Sequence, residues 1–193
     1  MAGCVNGVKV HLNGTSLSTK VGNFKKYVEM YATAAQEMSG AGDTGKPPII
    51  YEKFGERWEV AFTPSEGQFN QISFVNNIAT TKGGSHVEHV TKQLVENIIE
   101  VVKKKNKAVP VKPFQVKNHL WVFVNCLIEN PAFDSQTKEN MTLAQSKFGS
   151  KCKITEEFTK KVIKSGVVEN VLSFAKFRQD AALKKTDGHK KSR

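Results

Sequence analysis

Hydrophobic periodicity in the N-terminal part of the chain predicts one helix among several short strands. Apolar residues take alternate positions over residues 8–12 and an Asn13-Gly14 pair follows, which is the pattern of a half-buried strand that ends in a tight turn. Over residues 22–36 the apolar side chains recur at helical spacing and indicate an amphipathic helix. Glycine and proline are frequent in residues 38–48 and predict a surface loop. Shorter apolar runs then predict three strands, at residues 49–53, 57–63 and 71–75.

A long amphipathic helix is predicted after the Gly83-Gly84 break. Ser85 precedes Glu88 by three residues, which is the signature of a capping box at the start of a helix. Apolar residues then form one helical face that continues to about residue 106. These residues are Val87, Val90, Leu94, Ile98 and Val101.

The rest of the chain predicts one more strand and a helical end. The apolar run 116–128 follows two prolines and predicts a buried strand. Residues 155–185 again show helical spacing, with an interruption near Ser165-Gly166. Strands, a long helix, a further strand and terminal helices together predict an α+β fold, in which a mixed sheet packs against helices.

The composition predicts a globular domain that attracts polyanions. The 193 residues carry a formal net charge of +11, and this excess favours a nucleic-acid partner over a membrane. No apolar run has the length of a membrane span, and no signal peptide is visible. The scattered cysteines Cys4, Cys126 and Cys152 do not form a disulfide framework and indicate a reducing compartment.

A polar heptapeptide after the last predicted strand carries the most informative chemistry. Residues 134–140 read Asp-Ser-Gln-Thr-Lys-Glu-Asn, and by itself this pattern is typical of an exposed loop with one solvated lysine. The wider run 130–142 resembles the QTK loop of type IIA DNA topoisomerases. The resemblance spans essentially residues 5–180, and it is closer to the eukaryotic enzyme than to bacterial gyrase. Further segments match the same family in the same order, at residues 8–14, 71–80, 82–86, 102–107 and 148–152.

The resemblance implies the ribosomal protein S5 domain 2-like transducer fold, ending in a long C-terminal helix. Residues 1–7 are then expected to be the end of a preceding ATP-binding domain, and residues 8–153 the transducer domain. Residues 154–185 are expected to form a helical extension toward the DNA-cleaving core. Residues 186–193 are expected to be a disordered basic tail.

In this family the loop reaches from one domain to the terminal phosphate of ATP bound in another. The resemblance implies that Lys138 is the catalytic and sensing group, that Gln136 donates an amide hydrogen bond to the same phosphate, and that Thr137 shapes the loop within this ATP-binding set. ATP, held with Mg, closes two protomers into a dimer gate, and a DNA segment is captured and passed. The implied parent protein is an ATP-hydrolysing isomerase, homodimeric and located in the nucleus.

Motifs of the neighbouring domains are absent from this sequence. It has no general-base glutamate, magnesium-binding asparagine or glycine-rich lid in a recognisable context, and no tyrosine in a context for DNA cleavage. Gly83-Gly84 lacks the further residues of a phosphate-binding loop. We therefore expect this segment alone to bind no cofactor and to hydrolyse no ATP. Its expected partners are the ATP-binding domain and the DNA-cleaving core of the same chain. His86 and His89 have no ligand partners at suitable spacing, so no metal site is predicted.

A run of lysines ends the long predicted helix, at Lys103, Lys104, Lys105 and Lys107. The helix dipole favours cations at this end, which is one explanation. The resemblance gives another, because matching lysines in the family lie where captured DNA contacts them. With no aromatic side chains between them, these lysines would bind phosphates without reading sequence.

Two alternatives to the topoisomerase interpretation are open at this point. A stand-alone basic module of the same fold would bind nucleic acid without ATP coupling. A transducer of a mismatch-repair or chaperone ATPase is less consistent with the sequence, because Gln136-Thr137-Lys138 and residues 82–84 match topoisomerases specifically.

Overall fold

The computed structural model describes residues 4, 5, 7–17, 21–38, 47–106 and 110–187, with residues 182–187 described by backbone alone. The strands are β1 (His11–Leu12), β2 (Thr15–Ser16), β3 (Ile50–Phe54), β4 (Trp58–Pro64), β5 (Asn70–Val75), β6 (Ile78–Ala79), β7 (Gly83–Gly84), β8 (Leu120–Cys126) and β9 (Asn140–Met141). The α-helices are α1 (Phe24–Met38), α2 (Ser85–Lys105), α3 (Pro113–Lys117), α4 (Glu156–Val162) and α5 (Val168–Asp187). A 3-10 turn, Gln145–Lys147, and a π-helical turn, Ile163–Val167, complete the list.

A five-stranded mixed sheet in the order β3-β4-β8-β5-β6 forms the centre of the fold. β5 and β8 run parallel, and the other neighbouring strands run antiparallel. Successive pairs on β4 and β8 face opposite layers: Phe62 and Val122 belong to the larger apolar cluster, whereas Ala61 and Phe123 pack with Phe24 of α1. Because both faces are covered, these inner strands appear in the sequence as continuous apolar runs. The predicted α+β class with a mixed sheet is confirmed.

The strand predicted at residues 8–12 is wrong in extent and in burial. Only His11 and Leu12 are in β1, which pairs with β2 in a separate two-stranded sheet. Asn13 and Gly14 have φ of 49° and 80°, so the predicted tight turn is present. Leu12 is 60% exposed, and among the described strands β1 and β2 pair only with each other.

The boundary predictions differ from the structure at two further places. The capping box is wrong, because Gly84 is the N-cap of α2 and Ser85 is its first helical residue. The strand expected from residue 116 begins at Leu120, since Val116 and Lys117 lie in α3. The three strands before α2 each lie within one residue of their predicted start. The loop predicted at residues 38–48 falls mostly outside the described residues.

The C-terminal helices pack on the sheet. Thr155 caps α4 by accepting a 3.0 Å hydrogen bond from Phe158 N, and the Phe158 ring lies 5.7 Å from that of Phe54, centroid to centroid. The predicted interruption is confirmed at Gly166, whose φ of 89° lies inside the π-helical turn. Val171 of α5 belongs to the same buried cluster as the sheet. The domain boundaries stay predictions, and residues 188–193 of the predicted tail lie outside the described residues.

Candidate functional site

The heptapeptide at residues 134–140 forms the end of a hairpin-like loop. Phe133 and Met141 form an antiparallel bridge at its base. Asp134 N donates to Asn140 O at 3.3 Å, and Asn140 Nδ2 donates to Asp134 Oδ2 at 3.0 Å. Two residues further out on each limb, Thr142 N donates to Ala132 O at 2.9 Å. The two limbs are therefore joined by both backbone and side-chain hydrogen bonds.

The tip of the loop is ordered by local hydrogen bonds. Lys138 N donates to Ser135 O at 3.1 Å, and the Ser135 and Thr137 hydroxyls lie 2.8 Å apart. Lys138 has φ of 57°, a left-handed conformation that costs a non-glycine residue about 1–2 kcal/mol. Gln136 and Thr137 are exposed and Lys138 is half-buried. Within the described residues the Lys138 ammonium forms no salt bridge.

The returning limb of the loop pairs with the residues just before α2. Gly83 pairs with Asn140 and Gly84 with Met141, as the parallel strands β7 and β9. Gly84 has φ of 134° and ψ of −169°, a region used almost only by glycine. A Cβ at Gly84 would lie 2.3 Å from Met141 O and 2.6 Å from Met141 N. This close contact between backbones requires glycine at position 84.

Helix α2 continues directly from that contact. Ser85 Oγ donates to Leu143 O at 2.6 Å, which ties the first residue of the helix to the chain beyond the loop. The helix has 21 residues and a length of about 30 Å. Its last residues are the predicted DNA-contacting lysines. The loop that carries Lys138 is bonded to the start of α2, so Lys138 and these lysines lie near opposite ends of this helix.

The lysines at the end of α2 are all exposed but differ in their partners. Lys105 Nζ lies 2.7 Å from Glu169 Oε1 on α5. Lys103 and Lys104 form no salt bridge with any described residue. Lys107 lies outside the described residues. Lys103 and Lys104 are therefore the members of the predicted set with free charges.

A series of hydrogen-bonded polar side chains, most of them buried, ends at His86 near the start of α2, and no sequence motif predicted it. His86 Nε2 is 3.1 Å from Thr80 Oγ1, and Thr80 Oγ1 is 2.6 Å from Ser73 Oγ. Ser73 Oγ also donates to Gln71 Oε1 at 2.7 Å. Burial lowers the pKa of His86 to about 4, so the ring is neutral at pH 7. The alternation of polar residues in β5 was the only sequence signal for this series of hydrogen-bonded side chains.

The second histidine of α2 also has a structural partner. His89 Nε2 is 2.8 Å from Cys152 O, and His89 Nδ1 is 3.2 Å from Gln145 Oε1. In the described ranges, no three His, Cys, Asp or Glu side chains come together as a metal-binding group. No helix in the described part of the chain combines the length and apolar character needed to cross a membrane.

Comparisons with known proteins show the family of the chain. A family model described as DNA gyrase B matches residues 23–190. The chain is 56% identical to DNA topoisomerase 2 of Arabidopsis thaliana over 195 residues, and the alignment covers 100% of the chain but 13% of the relative. The identity to DNA topoisomerase 2-beta of Homo sapiens is 54% over 186 residues, covering 96% of the chain and 11% of that relative. The chain thus spans only a small part of the length of these relatives.

Solved structures give the same result for the fold. The ATPase region of Saccharomyces cerevisiae topoisomerase II matches with a TM-score of 0.77 and 47% identity, over 90% of this chain and 42% of that one. The ATPase and transducer domains of DNA topoisomerase II from Balamuthia mandrillaris match with a TM-score of 0.82 and 39% identity, over 93% of this chain and 42% of that one.

Proposed function

The chain belongs to the DNA gyrase B family, and from this membership we propose that it is the transducer segment of an ATP-dependent type II DNA topoisomerase. Its transducer fold is the ribosomal protein S5 domain 2-like one. Its loop senses the terminal phosphate of ATP held by a neighbouring ATP-binding domain. The contact couples ATP binding and hydrolysis to dimer-gate closure and DNA strand passage.

The observation that carries this proposal is the Lys138 ammonium, which forms no salt bridge with any described residue and lies at the tip of a hydrogen-bonded loop. An ammonium stabilises the negative charge of a transferring phosphoryl group, and a fixed backbone holds it in place without reorganisation. The exposed Gln136 amide adds a neutral donor beside it. Thr137, whose hydroxyl lies against Ser135, shapes the tip. These donors form half of a phosphate site, and they fit ATP, whose Mg is held by the neighbouring domain.

Loss of the phosphate releases the loop from the neighbouring domain. The contact is a charge-assisted hydrogen bond, and hydrolysis removes its acceptor. The returning limb is bonded to the start of α2, so a shift of the loop is transmitted to that helix. The transducer therefore changes its position relative to the ATP-binding domain when the nucleotide changes.

The far end of α2 contacts DNA in this proposal. Lys103, Lys104 and Lys105 are exposed there, and their charges bind phosphates without sequence selection. Lys105 contributes less because Glu169 neutralises it. The parent protein acts as a nuclear homodimer, together with its DNA-cleaving core.

The test is a set of Lys138 variants in the full-length protein that contains this chain. Lys138→Met removes the charge, and we expect DNA-dependent ATP hydrolysis and relaxation of supercoiled DNA to fall about tenfold to a hundredfold. Lys138→Asn separates the loss of the charge from strain in the loop backbone, because asparagine tolerates the left-handed conformation but has no charge. Lys138→Arg is the control that keeps the charge and retains more activity than either. Unchanged hydrolysis and relaxation in Lys138→Met and Lys138→Asn would refute the role of Lys138 and its loop. A full-length protein that binds nucleic acid but hydrolyses no ATP would instead favour a stand-alone nucleic-acid-binding module.

A further inference from the structure

We propose that Lys82 is a positioning residue for Lys138: its ammonium pairs with the carboxylate of Glu139, the residue next to Lys138, so that the Lys138 ammonium remains available to the phosphate. This inference rests on the proposed function and adds a residue outside the loop to it. The residue immediately precedes β7, on the segment that pairs with the returning limb.

The contact between Lys82 and the loop has two components. Lys82 Nζ lies 2.7 Å from Glu139 Oε2, and Lys82 N donates to Glu139 O at 3.0 Å. The hydrogen bond and charge of Glu139, with a smaller contribution from Asp134, raise the pKa of Lys82. A hydrogen bond from Asn140, with smaller contributions from Ser135 and the charge of Lys82, lowers the pKa of Asp134. Lys82 therefore pairs with Glu139, the carboxylate next to Lys138.

The charges of the loop show why this matters. Asp134 and Glu139 flank the tip, and Glu139 is the immediate neighbour of Lys138. With Lys82 in place, Glu139 is paired with Lys82, and Asp134 accepts a hydrogen bond from Asn140. Without Lys82, both carboxylates would compete for Lys138 and would also repel the triphosphate. Within the described residues, Lys138 thus stays unpaired because Glu139, its neighbour in the sequence, is already paired with Lys82.

Removal of the Lys82 ammonium leaves the backbone arrangement in place. The main-chain bond between Lys82 and Glu139 does not use the side chain, and neither does the pairing of Gly84 with Met141. The Lys82 side chain is 68% exposed, and surface ion pairs of this kind contribute little to folding. A variant at position 82 should therefore fold normally and report on the position of the loop charges.

The test compares Lys82→Met, Glu139→Gln and the double variant in the full-length protein. We expect Lys82→Met to lower kcat/KM for ATP by about fivefold, and Glu139→Gln to have almost no effect. The double variant should recover to within about twofold of the unmodified protein, because the surplus carboxylate is gone. Salt at about 1 M, which shortens the screening length to roughly 3 Å, should reduce the loss in Lys82→Met.

A purely structural ion pair gives the opposite pattern. In that case Lys82→Met and Glu139→Gln would lower kcat/KM equally and the double variant would not recover, which would overturn the proposal. Lys92→Met, at an exposed position on α2, is the matched control for loss of one surface lysine and should be silent. Lys138→Met distinguishes a failure of the proposed function from a failure of the role of Lys82. If Lys138→Met has no effect on kcat/KM, the proposed function fails. If Lys138→Met lowers activity and Lys82→Met does not, only the role of Lys82 is refuted.

Discussion

Gly84→Ala should separate the loop from α2 and destabilise the fold by an amount that the structure allows to be estimated. The new Cβ would meet Met141 O at 2.3 Å and Met141 Cα at 2.9 Å. Both are backbone atoms of the paired strand, so no side-chain rotation relieves the clash. Real Cβ atoms do not approach this closely, and β7 and β9 must move apart.

Two contributions set the magnitude. Alanine at φ of 134° and ψ of −169° is strained by about 1–3 kcal/mol. Separation of the strands weakens the backbone hydrogen bonds between them, at about 0.5–1.5 kcal/mol each. We therefore expect the free energy of unfolding to fall by about 2–5 kcal/mol. This loss is smaller than most of the range of about 5–15 kcal/mol that is typical for the total stability of a domain. The variant should still fold.

Urea-induced unfolding of the chain, followed by the fluorescence of its two tryptophans, of which Trp58 is buried, measures this loss. The matched control is Gly83→Ala, at φ of 80°, whose Cβ would meet nothing closer than Gln71 Cδ at 3.5 Å. Its cost should be about 1–2 kcal/mol, from conformation alone. Amide exchange at Met141 should accelerate in Gly84→Ala and not in Gly83→Ala. If the two variants lose the same stability, the close approach of Gly84 to Met141 is not what requires glycine there.

Two further predictions concern the buried histidine and the lysines. The pKa of His86 falls from 6.5 to about 4 on folding, so the unfolded chain binds more protons between these values and stability decreases as the pH falls through this window. The loss should approach about 3 kcal/mol near pH 4, and urea titrations should show that His86→Gln lacks this component; an equal pH dependence in both proteins would contradict it. Lys103→Glu combined with Lys104→Glu should lower DNA stimulation of ATP hydrolysis in the full-length protein and reduce its salt dependence. The same charge change at the exposed Lys25 and Lys26 of α1 is the control, and equal losses in both double variants would refute a specific role for the end of α2.

The elements that the sequence predicted well are those in which burial follows directly from local periodicity. The helix predicted at residues 22–36 is α1, which buries Phe24, Val28 and Ala32 at helical spacing. The exposed polar loop at residues 134–140 followed from its composition and its place after an apolar strand. The family of the chain was predicted from motifs in a fixed order, and the match to the DNA gyrase B family model confirms the family, while the role of the loop stays a prediction.

Predictions failed where a local pattern had no partner or a different one. The alternation at residues 8–12 predicted a half-buried strand, but among the described strands the hairpin pairs only with itself, and Leu12 is exposed. Ser85 and Glu88 have capping-box spacing, but the Ser85 hydroxyl bonds to Leu143, which lies 58 residues away in the sequence. The spacing of residues in one segment shows which burial and hydrogen bonds are possible there, whereas the distant residues that pack against it decide which of them form.

The sequence by itself therefore determined the sheet-and-helix composition, the loop motif and Lys138 as its candidate cation. Only the tertiary structure decided that Lys82 neutralises Glu139, that Gly84 contacts the backbone of Met141, and that Glu169 neutralises Lys105. Each of these contacts joins segments far apart in the chain. Propensity and periodicity act over a few residues, whereas charge pairing and close backbone contact depend on which distant segments the packed sheet brings together.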